Sequence, residues 1–450
     1  MNQQVGVPPG PPLPKALQGL AFIGARKRAL RIYQARYGPV FTINIPLFGR
    51  SVVVTDPAVV KQLFATSPLV AANIEPNLGR VLGEGSVFNL EADEHRARRR
   101  LLVPPFHGKR MHNYERVIEE EFAREAATWP EDAEFETMAP FMRITLNAIL
   151  RAVFGAEGEE FDELRDLLPP WIEMASRLAT IPVPRVTIAG WSPWAKFDAA
   201  RARFDAIVGR LIDKGLADPH LAERDDVLAL LLQSRYDDGS AMPRSTVADE
   251  LLTLLAAGHE TTATSLAWTV ERLRRHPALL RRLVDEIDAG GTELTQATIL
   301  EVQRTRPVID FVGRRVKADT MPLGDWLLPR GTNVIVGVSL VHDDPHSFPN
   351  PRRFDPDRFL ARKPGSNEWV PFGGGTRRCI GAAFANMEMV VVLRCLLRDF
   401  ELHTTTERGE RFLNRGVAWS PADGGKGRVT RRITLEANPT RPERSVAAVT

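Results

Sequence analysis

The chain has 450 residues, 44% hydrophobic and 26% charged, an ordinary globular composition. Its formal net charge of +3 is too small to argue for nucleic acid. No stretch is apolar enough for long enough to span a bilayer, no signal-peptide pattern opens it, and two cysteines, Cys379 and Cys395, are too few for a disulfide framework or a structural zinc site. A reducing, cytoplasmic setting is the resulting expectation.

Residues 1–15 are polar and proline-rich and are expected to run extended over the surface. Phe41, Ile43 and Ile45 alternate with Thr42 and Asn44, the period of a half-buried strand. A turn follows, then a second strand at Ser51–Val54, which makes a hairpin. Asp56-Pro57 has the form of an N-cap with proline at the first helical position. Residues 71–90 mix glycine, proline and scattered apolar residues and predict a long loop. The run Glu94-His95-Arg96-Ala97-Arg98-Arg99-Arg100 predicts a helix with a largely solvated basic face. On it His95 and Arg99 are four apart and point the same way.

Residues 115–240 predict successive helices with an interruption at Pro169–Pro193 that carries Trp171, Met174, Ile181, Val183 and Trp191. Ser245–Arg275 predicts a long buried helix, apolar on most sides through Leu251, Leu254, Leu255 and Leu266. Into its middle the sequence places Ala257-Gly258-His259-Glu260-Thr261-Thr262. A glycine and an acid inside a buried helix are costly, about 1 kcal/mol for the glycine alone. Either small residues pack there against another helix, with Thr261 bonded back to Ala257, or Gly258 opens a groove where Glu260 and Thr261 handle protons. A further helix ends near Arg306, carries Glu301 and Arg304 three apart, and is stopped by Pro307. Val334–Val338 reads as a strand, and a proline-rich meander from Pro345 leads into Phe372-Gly-Gly-Gly-Thr-Arg-Arg-Cys-Ile-Gly381. There Cys379 ends a glycine-rich turn before an apolar helix, a setting expected to favour thiolate. Cys395, among valines and leucines, reads as a buried structural thiol.

These motifs in this order resemble the cytochrome P-450 family of haem-thiolate monooxygenases over nearly the whole chain. The signature is Phe372-x-x-Gly375-x-Arg377-x-Cys379-x-Gly381, joined by Ala257-Gly258-x-Glu260-Thr261, Glu301-x-x-Arg304 and Pro356-Asp357-Arg358-Phe359. The resemblance implies a single domain over 1–450, mainly α with a small β-sheet subdomain. Haem b would lie between the long central helix and the cysteine loop. It implies Cys379 as the axial iron ligand, Gly375 for the turn and Gly381 for close helix approach. Arg377, His95, Arg99 and Arg314 would take the propionates, and Ala257, Gly258 and Phe372 would lie against the cofactor. Thr261 would hydrogen-bond the activated oxygen, and Glu260, aspartate in many relatives, would feed protons through water. Glu301, Arg304 and Arg358 would form a structural ion-pair group.

The implied reaction inserts one atom of O2 into a lipophilic substrate such as a fatty acid, alkane, terpenoid or steroid. Phe88, Val308, Asp310, Val312 and Trp419 would be among the pocket residues, although a capped turn is the blander role for Asp310. Electrons would come from a ferredoxin or flavodoxin and its reductase, steered by Arg96, Arg100, Arg110 and Arg378. A haem-thiolate peroxygenase or isomerase and a non-catalytic haem-binding protein are the competing functions.

Overall fold

In the computed structural model, residues 4–432 are described apart from 47, 75–77, 107, 109–110, 156–157, 181–184, 186–191 and 193. The expected hairpin forms between Val40–Ile45 and Gly49–Val54, and it is the edge of a five-stranded sheet. Ser51–Val54 pairs in parallel with Asn333–Val336, and the other side of that strand pairs with Phe311–Val316. The strand alternation explains the layering. Phe41, Ile43, Val53 and Ile335 pack with Leu30 of the helix Lys15–Tyr37 on one face. Val52, Val54, Val334 and Val336 pack with Leu63 and Phe64 of the helix Pro57–Ala65 on the other. Asp56 caps that second helix, accepting from the amides of Ala58 and Val59 at 2.6 and 3.2 Å.

Gln4–Val5 pairs with Trp326–Leu327, and Thr42 donates to the carbonyls of Pro8 and Pro9. The predicted loop at 71–90 is mostly irregular, with a two-residue strand at Ala71–Ala72 and one helical turn at Gly79–Leu82.

The body of the protein is helical around a 30-residue central helix, Arg244–Leu273. Leu251, Leu255 and Leu266 are buried along one face of it, and it lies along the helix Met138–Phe154. Cys395, fully buried on the helix Ala382–Asp399, belongs to the same core.

One expectation fails in an instructive way. The interruption predicted from Pro169 does not begin there, because Glu159–Thr180 is one helix with Pro169 and Pro170 inside it. A proline inside a helix costs about 3 kcal/mol. Here Leu164, Leu168, Trp171 and Ile172 are all buried on it, and that apolar face outweighs the cost. Met174 is half-buried there, whereas Ile181, Val183 and Trp191 lie outside the described residues. Among the described residues no helix is long and apolar enough to cross a membrane.

Candidate active site

The cysteine turn is built on Phe64. Gly373 and Gly375 have φ of 65° and 64°, which side chains rarely adopt. A Cβ on Gly374 would lie 2.2 Å from the Phe64 ring, and one on Gly375 would lie 2.3 Å from the Phe64 carbonyl oxygen. The glycines are therefore needed to seat the turn on the helix Pro57–Ala65, beyond any need to admit a flat ligand. The turn closes through the amide of Cys379 donating to the Phe372 carbonyl at 3.0 Å. A Cβ on Gly381 would meet nothing within 4 Å among the described residues, so packing within the chain does not account for this glycine.

The thiol of Cys379 is accessible, yet protein atoms crowd its other sides. That burial raises its pKa, opposed by the Gly381 amide and by the cations of Arg99 and Arg378. The net direction is upward, contrary to the expectation from helix end and arginines alone. A metal ion bound at the sulfur would displace the proton outright.

Arg99, Arg314 and Arg377 form one cationic cluster beside this turn, with His95 among them. Arg99 donates to the Arg378 carbonyl at 2.8 Å and Arg314 to the Gly374 carbonyl at 3.2 Å. Arg377 donates to the carbonyls of Val87, at 3.3 Å, and of Leu90. Among the described residues these three arginines bond carbonyls and form no ion pair with a carboxylate. Burial and the neighbouring Arg377 lower Arg314 to about 10. Burial, Arg377, Arg99 and Arg314 lower the buried His95 to about 3. Such a cluster carries positive charge at partly buried positions with no paired carboxylate, although Glu91 attracts Arg377 at longer range, and it is a donor set that fits a group with two carboxylates.

On the central helix, Ala257 is accessible and Leu254 and Thr261 are half-buried, although most of the surrounding helix is buried. These three share one helical face. Thr261 Oγ1 donates back to the Ala257 carbonyl at 2.8 Å, as the packing reading foresaw. Gly258 is a correction: its missing Cβ points at Ile149, 3.1 Å away on the neighbouring helix. The glycine lets two helices approach and does not open a groove. Glu260 turns from Thr261 toward the hairpin Phe412–Asn414/Trp419–Pro421, where its Oε1 meets Arg415 Nε at 3.4 Å. Burial raises its pKa, opposed by Arg415 and reinforced by Glu173.

Glu301 and Arg304 are fully buried and joined by two bonds of 2.7 Å, not a surface pair. Arg358 reaches Glu301 at 3.3 Å, and the amide of Asp355 donates to it at 2.8 Å. Arg304 continues to the carbonyl of His342, whose Nε2 accepts from the Val370 amide. His342 was not singled out from sequence, where a lone histidine after a strand carries no signal.

Of the residues expected at a substrate pocket, Phe88 is half-buried against the helical core and Val312 half-buried beside Gly373. Val308 is buried, and its carbonyl accepts from the Trp419 amide. Asp310 is a correction. It accepts from the Ser339 amide at 3.0 Å and pairs with Arg26 at 2.8 Å, with 1% of its side chain exposed. Arg26 in turn lies over the Trp419 ring, 3.6 Å from its centroid. Asp310 is consumed by structure and has no surface for a substrate. The basic run needs the same revision at Arg98, which is buried and bonded to Glu250 at 2.5 Å, the Gly85 carbonyl and Tyr236.

The family model described as cytochrome P-450 matches residues 8–424. The chain belongs to the cytochrome P-450 family. It is 54% identical over 441 residues to a Mycobacterium tuberculosis protein named as cytochrome P-450 138, covering 96% of this chain and all of that one. To one named as cytochrome P-450 135B1, also from Mycobacterium tuberculosis, it is 38% identical over 448 residues, covering 98% and 94%. Among solved structures, the retinoic acid-bound cyanobacterial CYP120A1 superposes with a TM-score of 0.83 at 23% identity, covering 95% of this chain and all of that one. The cytochrome P-450DA heme domain does so with 0.80 at 20%, covering 96% and 99%. As a P-450 this protein is a haem-binding monooxygenase that uses O2, a substrate and electron-transfer partners, and the family holds haem through a cysteine.

Proposed function

We propose that residues 1–450 form a single P-450 domain that oxygenates a lipophilic substrate of the fatty acid, alkane, terpenoid or steroid kind. The observation that carries the site assignment is the cluster of Arg99, Arg314 and Arg377, bonded to carbonyls and, among the described residues, without an ion pair, beside the accessible Cys379. Cys379 would hold haem b by its sulfur, with Phe372, Gly375 and Gly381 in the loop around it. The three arginines would bind the two propionates, and His95, neutral at physiological pH, would add a hydrogen bond. The thiolate-bound iron supplies oxygen activation. The chain supplies position and protons. Thr261, on the accessible strip with Ala257, would hold a proton at its Oγ1 for the reacting oxygen. Glu260, whose pKa burial raises against the pull of Arg415, would replenish that proton through water. Glu301, Arg304 and Arg358 act at a distance by fixing the meander that carries the cysteine turn.

Apolar Phe88, Val308, Val312 and Trp419 support a lipophilic substrate. A ferredoxin or flavodoxin with its reductase would supply electrons. The basic surface is smaller than the arginine count suggests, since Arg96 pairs with Asp93 and Arg100 with Asp237, whereas Arg378 is exposed. Arg110 lies outside the described residues. The absence of a disulfide, with Cys395 buried and Cys379 free, supports a cytoplasmic location. The test is optical. The reduced carbon-monoxide complex is expected to show the red-shifted Soret band of thiolate ligation, lost in Cys379→His. A histidine-type band in the parent protein would refute the ligand assignment. Titration with lipophilic compounds, read as the low-to-high spin shift, tests the substrate class.

A further inference from the structure

Glu260 is tied to a part of the chain that the four motifs do not include. Its cation, Arg415, stands at the tip of the hairpin Phe412–Asn414/Trp419–Pro421. That tip rests on the helix containing Pro169 and Pro170. Ser176 of this helix is buried, donates from Oγ to the Arg415 carbonyl at 3.2 Å and accepts from the Val417 amide at 2.9 Å. Between these two bonds Gly416 has φ of 105°, and a Cβ on it would lie 2.5 Å from Ser176 Oγ and 2.8 Å from the Ser176 carbonyl oxygen. Asn414 closes the tip on itself by two 3.1 Å bonds with the Gly416 backbone. The seat is therefore close and specific in backbone position.

The guanidinium it presents is held differently. Arg415 touches Glu260 through a single N–O contact of 3.4 Å, with 31% of its side chain exposed against 10% of the acid's. A charge-assisted bond at full strength is about 2.7–2.9 Å. The other charged group acting on Glu260 is Glu173, one turn before Ser176 on the same helix and itself paired with Arg177 at 2.7 Å. One helix thus supplies both the seat for the attracting cation and the repelling carboxylate.

We propose that Arg415 is a positioning residue for proton delivery, whose place on Ser176 keeps Glu260 turned toward the hairpin and sets how readily it gives up and regains its proton. This rests on the reading of Glu260 as the proton-feeding acid. Ser176 thus ties the place of the Arg415 guanidinium to the double-proline helix.

The test uses the resting holoenzyme and needs no substrate. The infrared carboxyl band that disappears in Glu260→Gln is titrated in the parent protein, Arg415→Gln, Arg415→Lys and Ser176→Ala. Arg415→Gln is expected to move the midpoint up by roughly one pH unit, the lower end of what a lost opposite charge does. Arg415→Lys should restore part of the shift, and Ser176→Ala should move the midpoint the same way by less. In turnover with dodecanoic acid as the probe and a surrogate ferredoxin pair, hydrogen peroxide released per NADPH consumed should rise several-fold in Arg415→Gln. An unmoved midpoint in Arg415→Gln and Ser176→Ala, with the haem spectrum intact, overturns the proposal. If Arg415→Gln fails to fold, Ser176→Ala decides by the same criterion. If Glu260→Gln leaves the peroxide ratio unchanged, the proton-feeding reading of Glu260 fails as well. If it raises the ratio while Arg415→Gln does not, only the role of Arg415 falls.

Discussion

The cysteine side and the hairpin side of this molecule are held in opposite ways. Around Cys379 the backbone is clamped: two glycines are pressed against Phe64, the Cys379 amide is bonded to Phe372, and the fully buried Glu301–Arg304 pair ties down the meander. Around Glu260 the contacts are few and long, a 3.4 Å ion pair to a hairpin tip and a helix that keeps its course through two prolines. On the proposed reading, the sulfur that would hold the iron sits on an over-determined loop, whereas the acid that would feed protons is tied by a single 3.4 Å contact.

The largest effect is expected from breaking the clamp. Glu301→Ala leaves Arg304 buried without a counter-charge and should cost about 3–5 kcal/mol, read as a lowered unfolding midpoint and weakened haem retention. Conversely, Asp310→Ala should lower stability by uncovering Arg26 while leaving ligand spin-shift titrations unchanged; altered ligand preference would return Asp310 to the substrate pocket. Gly374→Ala forces a methyl group into the Phe64 ring and should cost about 1–3 kcal/mol by overpacking. Phe64→Ala in the same chain should recover part of that loss, and no recovery would show that another contact limits the turn.

The hairpin side should respond in function more than in stability. Thr261→Val removes a hydroxyl bonded only locally to Ala257, so thermal unfolding should move little while product per NADPH falls several-fold. A smaller, pH-dependent effect belongs to Glu250, whose pKa burial raises to about 7 against the pull of Arg98. Its folded state binds the proton more tightly than the unfolded chain. Stability should therefore fall as pH rises from about 4.5 to about 7 and then level. In Glu250→Gln that slope should flatten, measured by denaturant unfolding across the window.

How much of this was legible in the sequence follows from the range of the interactions. The hairpin at 40–54, the Asp56 cap, the central helix and the Glu301–Arg304 spacing depend on residues within a few positions of one another. Periodicity and capping rules reach that far. The strand Phe311–Val316 was missed because its identity comes from pairing with Asn333–Gly337, and the short hairpin at 412–421 because three-residue strands carry no period. The double-proline helix was missed because its stability comes from burying Trp171 and its neighbours, which outweighs a local rule.

The sequence by itself determined the chemistry of this protein: a lone thiol after a glycine turn, an acid and an alcohol in a buried helix, and their order along the chain. Those are statements about residue type and spacing, and they hold before any packing is known. Only the tertiary structure decided what each residue faces. Gly258 serves a helix contact, Arg98 is buried on Glu250, Asp310 is consumed by Arg26, and Glu260 is held by Arg415, 155 positions away. Partners that distant are chosen by how the elements pack, and burial then makes each choice costly to leave unpaired.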